Sequence, residues 1–249
     1  MAAPMASTTT TSEMNGSADF PKISHVIFDM DGLLLDTETL YTKATQRVLD
    51  EYGGKTYTWE VKSKCMGHKL DEAAQIMIDA YDLPLTPEQY MEKGLEQYKI
   101  IFPTAELMPG VKKLVTHLHK HNVPMAVATG ASTENFELET MHHKKLFALF
   151  DHVVLLSSDP EVAKGKPAPD GFLVCASRFK DKPKPEQVLV FEDADNGVMA
   201  ATNAGMSVVW IPGPQSQSDR SEYDNVASLT LDSMADFKPE LFGLPPYDS

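Results

Sequence analysis

The chain has 249 residues, of which 42% are hydrophobic, so it can bury a full core in one large domain or in a domain with an insertion. Its 22 lysines and arginines stand against 36 aspartates and glutamates. The formal charge of -14 argues against a surface for nucleic acid polymers or anionic membranes. The two cysteines, Cys65 and Cys175, lie outside any Cys-x-x-Cys spacing, which favours a reducing compartment over a disulfide framework or a zinc motif.

The first twenty residues are rich in Ser, Thr, Ala and Gly and contain neither the apolar segment of a signal peptide nor the arginines of a mitochondrial presequence. We expect residues 1–20 to form a disordered tail. No later segment approaches the roughly 20 apolar residues that span a bilayer. We therefore expect a soluble monomer in the cytoplasm.

The first predicted strand is HVIF, residues 25–28, a continuous apolar run typical of a parallel strand that is buried on both faces. Asp29 and Asp31 follow it directly. Taken alone, this acid pair is compatible with a solvated loop at the end of a strand. Asp36 and Glu38 are weaker candidates for chemistry, because either can cap the helix that comes next.

Between Glu38 and Pro109 the strand pattern disappears and amphipathic helices replace it. We expect these helices to form a cap inserted into the α/β core, where they can close over the catalytic loop and choose the substrate. The predicted helices cover roughly 38–52, 58–66, 69–81 and 87–101. The predicted domains are a helical cap over 38–105 and a core made of 21–37 and 106–249.

Within the cap, the segment CMGHKL at 65–70 is the best candidate for substrate contact. Gly67 ends one helix, and His68 and Lys69 begin the next. A helix N-terminus with a lysine beside it suits an anionic or polar substrate. The alternative is an ordinary turn with a solvated lysine.

Four further apolar runs follow the cap, at 124–129, 152–156, 188–191 and 207–211, with helical patterns between most of them. This alternation predicts a doubly wound parallel sheet, in which ligands bind outside the carboxyl ends of the strands. Polar residues that follow different strands should therefore lie together. Those residues are Asp29 and Asp31 after the first strand, Thr129, Gly130, Ala131 and Ser132 after the second, and Glu192, Asp193 and Asp195 after the fourth.

Clustered carboxylates repel one another unless a cation lies among them, and oxygen ligands favour Mg²⁺. The segment KGKPAPDGF, residues 164–172, adds a positive charge through Lys166. Asp170 can cap the helix that follows. The sequence thus predicts a magnesium site beside a lysine at the edge of the sheet.

The segment HLHKH at 117–121 places His117 and His121 four residues apart, on one face of a predicted helix. This spacing can hold a metal ion. However, the sequence shows no third ligand, so an ordinary surface helix is favoured.

The order Asp-x-Asp, Thr, Lys and Glu-Asp, spread over residues 29–193, resembles the haloacid dehalogenase superfamily of phosphotransferases. The resemblance implies that Asp29 attacks phosphorus to form an aspartyl-phosphate, while Asp31 protonates the leaving oxygen and then activates water. It also implies that Thr129 and Lys166 hold the phosphoryl oxygens. Relatives commonly carry a hydroxyl residue where this chain has Gly130, so Gly130 is a candidate substrate-binding residue whose phosphate contacts stay open.

The same resemblance implies a magnesium ion bound by Asp29, Asp193 and the main-chain carbonyl of Asp31. Glu192 is expected to act through a metal-bound water.

Several longer segments extend the likeness to the pseudouridine-5'-phosphatase subfamily of animals. They are FDMDGLLLDTE, EAAQIMID, FPTAELMPGVKKL, GKPAPD, LVFEDADNGV and FKPELFGLPPYD. The last of these is remote from the predicted chemistry, so shared catalysis does not explain it. The resemblance implies that the substrate is pseudouridine 5'-phosphate.

Several other functions share part of this sequence pattern. A sugar-phosphate phosphatase or a β-phosphoglucomutase would share the core, and only the cap would distinguish them. A receiver domain that is phosphorylated on aspartate needs no group such as Asp31 to protonate an alcohol. A glycosyltransferase with an Asp-x-Asp motif does not explain Lys166 together with Glu192 and Asp193.

Overall fold

The computed structural model describes residues 20–65, 70–213 and 226–248. Within these ranges the chain forms a parallel sheet of six strands, in the order β3-β2-β1-β4-β5-β6. The strands are β1 His25–Phe28, β2 Met125–Thr129, β3 His152–Leu155, β4 Val188–Glu192, β5 Ser207–Trp210 and β6 Leu229–Thr230. The predicted α/β fold is confirmed, and β6 is a short edge strand that the sequence did not predict. The predicted tail falls almost wholly outside the described residues.

Nine α-helices accompany the sheet within the described part of the chain. They are α1 Thr37–Glu51, α2 Trp59–Cys65, α3 Leu70–Tyr81, α4 Pro87–Ile101, α5 Val111–Lys120, α6 Thr133–Glu139, α7 Lys144–Phe147, α8 Asp170–Ser177 and α9 Asp195–Asn203. No helix in those ranges is long and apolar enough to cross a lipid bilayer.

The register of the central strands decides where the site lies. Phe28, the last residue of β1, pairs with Val127 of β2 on one side and with Phe191 of β4 on the other. All three strands are apolar and buried, as expected for a parallel sheet covered on both faces. The carboxyl ends of β1, β2 and β4 therefore lie side by side.

Helices α1 to α4 all lie in the stretch of chain between β1 and α5, and they share a small apolar core of their own. Asp36 caps α1, because its carboxylate accepts the N–H of Thr39 at 3.3 Å. Thr86 and Gln89 form a reciprocal capping box at the start of α4.

The predicted cap of α8 is wrong. Helix α8 begins at Asp170 itself, and Pro169 occupies the preceding capping position without a side-chain hydrogen bond. The Asp170 carboxylate instead accepts the backbone N–H of Lys164 at 3.1 Å. Asp170 thus closes the loop that carries Lys166.

Candidate active site

Asp29 and Asp31 follow β1, the strand at the centre of the sheet. The N–H of Asp29 donates to the carbonyl of Phe191 at 3.0 Å, so pairing between β1 and β4 continues into the loop. Met30 and the leucines at 33–35 are fully or almost fully buried, and they hold this loop in the core. The two carboxyl groups are therefore fixed by packing.

Lys166 lies between two carboxylates from different strands. Its ammonium donates to Asp29 Oδ1 and to Glu192 Oε1, each at 2.5 Å, and lies 5.1 Å from the centre of the Phe172 ring. Burial alone would lower the pKa of Lys166, but the charges of Asp29 and Glu192 raise it above its ordinary value. The lysine is therefore a fixed positive charge.

Glu192 ends β4 and is fully buried. Its Oε1 accepts from Lys166, and its Oε2 accepts the N–H groups of Asp193 and Ala194 at 3.1 and 3.3 Å. Burial raises the pKa of Glu192 to about 7, against the lowering effect of Lys166. A Cβ atom on Gly197 would lie 1.9 Å from Glu192 Oε1, so this position in α9 requires glycine. Sequence reasoning missed Gly197, although it lies in the DNGV segment.

Asp29, Glu192 and Asp193 bring carboxylate oxygens within 4.8 Å of one another. Burial, followed by the charges of Asp29 and Glu192, raises the pKa of Asp193 well above its ordinary value. The turn at Gly32 has φ 79°, and a Cβ there would lie 2.3 Å from Asp193 Oδ2. Glycine thus lets the backbone approach an oxygen-only donor set, which fits Mg²⁺. Of the four predicted metal residues, only Asp31 contributes no side-chain oxygen to this set.

Thr129 ends β2 and connects to Asp31. Its hydroxyl donates to Asp31 Oδ2 at 3.0 Å and accepts the N–H of Ala131 at 3.0 Å. Burial and then the charge of Asp29 raise the pKa of Asp31 to about 6. A carboxyl with this pKa can both donate and accept a proton near neutral pH.

Glu139, at the end of α6, is a third acid near this position. It is almost fully buried, and neither carboxyl oxygen makes a hydrogen bond within the described residues. Burial, and then the charge of Asp31, raises the pKa of Glu139 to about 9. Glu139 is therefore a neutral acid at pH 7. No sequence pattern indicates Glu139, because it follows no strand.

The remaining candidate substrate residues are less defined. Gly130 is exposed directly after β2, and a Cβ atom there would meet nothing within 4 Å. Ser132 caps α6 by accepting the N–H of Asn135 at 3.2 Å, which leaves Thr129 as the hydroxyl beside the acids. His68 and Lys69 lie outside the described residues.

A cavity of about 290 Å³ lies among α1 to α4. Tyr41 lines it and also accepts from Asn135 at 3.4 Å, so one wall of the cavity is tied to the first turn of α6. Lys62, on its wall, donates to Glu38 at 2.8 Å and to Thr42 at 3.1 Å. The other lining residues include Thr45, Val48, Tyr57, Cys65, Leu70, Ala73, Ala74, Met77, Tyr90, Met91, Gly94, Leu95 and Tyr98. We call this space the cap cavity.

Comparison with known proteins relates this arrangement to an enzyme family. Residues 26–211 match the family model described as "Haloacid dehalogenase-like hydrolase". A Drosophila melanogaster protein described as "Probable pseudouridine-5'-phosphatase" is 48% identical, over 91% of this chain and 96% of its own. An Arabidopsis thaliana protein described as "(DL)-glycerol-3-phosphatase 2" is 49% identical, over 91% of this chain and 93% of its own.

A crystal structure of CbbY from Rhodobacter sphaeroides in complex with phosphate is similar to this fold. Its TM-score is 0.66 at 25% sequence identity, and the match covers 86% of this chain and 96% of that one.

Proposed function

Because the chain belongs to the haloacid dehalogenase-like hydrolase family, we propose that it hydrolyses pseudouridine 5'-phosphate to pseudouridine and phosphate through an aspartyl-phosphate intermediate. The observation that carries the proposal is the surroundings of Asp29: its carboxylate accepts from the ammonium of Lys166 and lies in one cluster with the carboxylates of Glu192 and Asp193. Family membership argues against a receiver domain and against a glycosyltransferase.

We propose two chemical steps. In the first, a carboxylate oxygen of Asp29 forms a bond to phosphorus, the ester P–O bond breaks, and Asp31 gives its proton to the departing alcohol oxygen. In the second, Asp31 takes a proton from water, the water oxygen attacks phosphorus, and the acyl-phosphate P–O bond breaks to restore Asp29. The raised pKa of Asp31, about 6, supports both roles.

Lys166 would hold a phosphoryl oxygen, since its ammonium already touches the attacking carboxylate. Thr129 would share its hydroxyl between the phosphoryl group and Asp31, which accepts it in this structure. Gly130 is exposed and unobstructed, so its backbone N–H is proposed as a further contact.

Asp29, Asp193 and the main-chain carbonyl of Asp31 would hold Mg²⁺. A bound Mg²⁺ would neutralise charge on the carboxylates and on the phosphoryl oxygens. Glu192 would contribute through water, because both of its oxygens already accept hydrogen bonds.

Chelation should abolish activity and Mg²⁺ should restore it, whereas Ca²⁺ should inhibit because its longer and more flexible coordination misplaces Asp29. Full activity with Ca²⁺ would contradict this ligand set.

We propose that residues 38–105 form the cap that selects the substrate. The cap cavity supports a substrate with a flat organic part, because apolar side chains and several tyrosine rings line it. Its volume of about 290 Å³ is at the lower end of the range for ligand pockets. Glycerol offers no ring for such a cavity. His68 and Lys69 remain proposed contacts on the strength of the sequence alone.

Glycerol 3-phosphate is the second candidate substrate, because the Arabidopsis relative named for it is as similar as the Drosophila relative. Sequence identity therefore does not distinguish the two candidate substrates, and the preference for pseudouridine 5'-phosphate depends on the cap cavity. The test is phosphate release, as kcat/KM, from pseudouridine 5'-phosphate, uridine 5'-phosphate, flavin mononucleotide, glycerol 3-phosphate and hexose phosphates. We expect kcat/KM for pseudouridine 5'-phosphate to exceed that for glycerol 3-phosphate by at least about tenfold. A preference for glycerol 3-phosphate would overturn the substrate assignment and leave the chemistry intact.

A further inference from the structure

A second group of side chains that could bind a metal lies at the C-terminal end of α5, apart from the carboxylates of the candidate active site. His117 and His121 are one turn apart, and their ring centres are 4.5 Å from each other. Asp248, which lies much later in the chain, approaches both histidines. His117, His121 and Asp248 each offer a ligand atom, and these atoms lie within 4.8 Å of one another. The fold thus supplies the third ligand that the local sequence does not show.

The segment 244–248, here called the C-terminal segment, is held against α5 by several independent contacts. His117 Nε2 donates to the carbonyl of Pro245 at 2.8 Å. The ring of Tyr247 lies 4.7 Å from that of His117 and beneath the ammonium of Lys113, which is 3.9 Å away. Asp248 is therefore carried by an anchored stretch of chain.

His121 has an unsatisfied nitrogen that faces this aspartate. Its Nε2 atom is buried and makes no hydrogen bond within the described part of the chain. The distance from this atom to Asp248 Oδ1 is 3.5 Å, which is too long for a good hydrogen bond. A buried polar nitrogen without a partner is destabilising, and a cation between the two atoms would remove that cost.

We propose that His117, His121 and Asp248 bind a zinc ion that fastens the C-terminal segment to α5. Two imidazoles and one carboxylate are a donor set that Zn²⁺ accepts, with water as a fourth ligand, whereas Mg²⁺ prefers oxygen donors. Zinc bonds of about 2.0 to 2.1 Å place tetrahedral ligand atoms about 3.4 Å apart. The gap of 3.5 Å between His121 and Asp248 already matches this spacing.

The neighbouring contacts fit single-atom ligation by each residue. Because a carbonyl only accepts, His117 carries its proton on Nε2, and the lone pair of Nδ1 is available to a metal. Lys120 donates to Asp248 Oδ2 at 2.6 Å, which leaves Oδ1 for the ion. The lysine charge will weaken binding of a cation, so we expect an affinity that is moderate for a zinc site.

The test uses the full chain, stripped of metal and then saturated with Mg²⁺, and measures zinc binding by calorimetry and thermal unfolding. We expect zinc to bind at this site and to raise Tm, because an ion that binds only the folded chain stabilises it. His121→Asn and Asp248→Asn should each weaken zinc binding at this site at least about tenfold. His119→Asn is the matched control, since His119 lies on the same helix and is exposed.

Co²⁺ provides a second readout, because a tetrahedral site gives visible absorption bands that the His121 and Asp248 variants should lose. Circular dichroism checks that each variant is folded, and Asp248 is exposed enough for its substitution to leave the core intact. Absence of zinc binding by the wild-type chain would overturn the proposal. Equal zinc affinity in the wild type and both variants would also overturn it.

Discussion

The carboxyl edge of the sheet and the cap cavity offer a substrate opposite environments. At the carboxyl ends of the strands, the charged side chains are buried and are held in place by the strands and by ion pairs. Lys166 donates to both Asp29 and Glu192. In the cap cavity, the tyrosine rings come from α1, α4 and the segment before α2, and aliphatic side chains come from α1, α3 and α4. The first environment suits a phosphoryl group, which all candidate substrates share. The second suits the organic part, by which they differ.

Under the proposed function, this contrast would separate chemistry from substrate choice within one chain. A change at the sheet edge should affect every phosphate ester equally, because each presents the same group there. A change in the cap cavity should affect esters in proportion to the size of their organic part. Ratios of kcat/KM between a large and a small substrate therefore measure the contrast directly.

The largest effect is expected from Asp29→Asn. The amide is a poor nucleophile, so turnover of pseudouridine 5'-phosphate and of glycerol 3-phosphate should both fall by at least about 10³-fold. The measurement is phosphate release by a folded variant in Mg²⁺. Asp36→Asn, in the same loop, is the control and should retain activity, because asparagine also caps helices. Substantial turnover by Asp29→Asn would refute the covalent mechanism.

Lys166→Met should lower kcat/KM by about 10²-fold to 10³-fold for both substrates, since it removes the charge that we propose holds the phosphoryl group. The ratio between the substrates should stay constant. The variant should also unfold at lower temperature, because two buried carboxylates lose their counter-charge.

The control for Lys166→Met is Lys164→Met, an exposed lysine two residues away in the same loop. It should leave both rates and Tm almost unchanged. If Lys166→Met impaired only the larger substrate, the assignment of this lysine to the phosphoryl group would be wrong.

The sequence was sufficient to predict the parallel sheet except for its short edge strand β6, and most of the residues that the strand ends bring together. Runs buried on both faces have a clear pattern, and Asp29, Thr129 and Glu192 are contiguous with them. Gly197 lies in the same EDADNG stretch as Glu192, but its role depends on how the first turn of α9 packs on that carboxylate. The burial of Glu139 depends on packing between distant segments, which no local pattern records. The same is true of Asp248, which meets α5 only because the C-terminal segment folds back across it.

The cap cavity can be tested by filling it. Gly94 lines the cavity in the middle of α4, and a Cβ there makes only ordinary contact with Tyr98. Gly94→Leu should therefore occupy the space and lower kcat/KM for pseudouridine 5'-phosphate by about 10-fold to 100-fold, while glycerol 3-phosphate changes little.

Gly94→Ala is the matched control for this substitution. Alanine also replaces the helix-destabilising glycine, which stabilises α4 by about 1 kcal/mol, but its side chain does not fill the cavity. Its substrate ratio should equal that of the wild type. Equal losses for both substrates in Gly94→Leu would mean that the cavity serves closure of the cap, and the organic part would have to bind elsewhere.

The smallest effect on activity is expected from Glu139→Gln, although Glu139 is buried beside Asp31. Burial keeps Glu139 neutral up to about pH 9, so a neutral amide of the same shape should change kcat/KM by less than about tenfold. Its effect on stability should be larger. The pKa of Glu139 is raised in the folded chain from 4.5 to about 9, so the stabilising effect of its proton is complete below pH 4.5 and is lost as pH rises towards 9.

Glutamine does not titrate, so the stability advantage of Glu139→Gln should grow by about 1.4 kcal/mol per pH unit between pH 5 and 8. Urea unfolding of both proteins across that range measures this slope. A flat difference would show that Glu139 is ionised in the folded chain, and a loss of activity near that of Asp29→Asn would place Glu139 in the catalytic machinery. The expected result would show that burial beside Asp31 does not by itself give Glu139 a part in the reaction. A catalytic acid at this site must also contact the phosphoryl group, the metal site or the leaving oxygen.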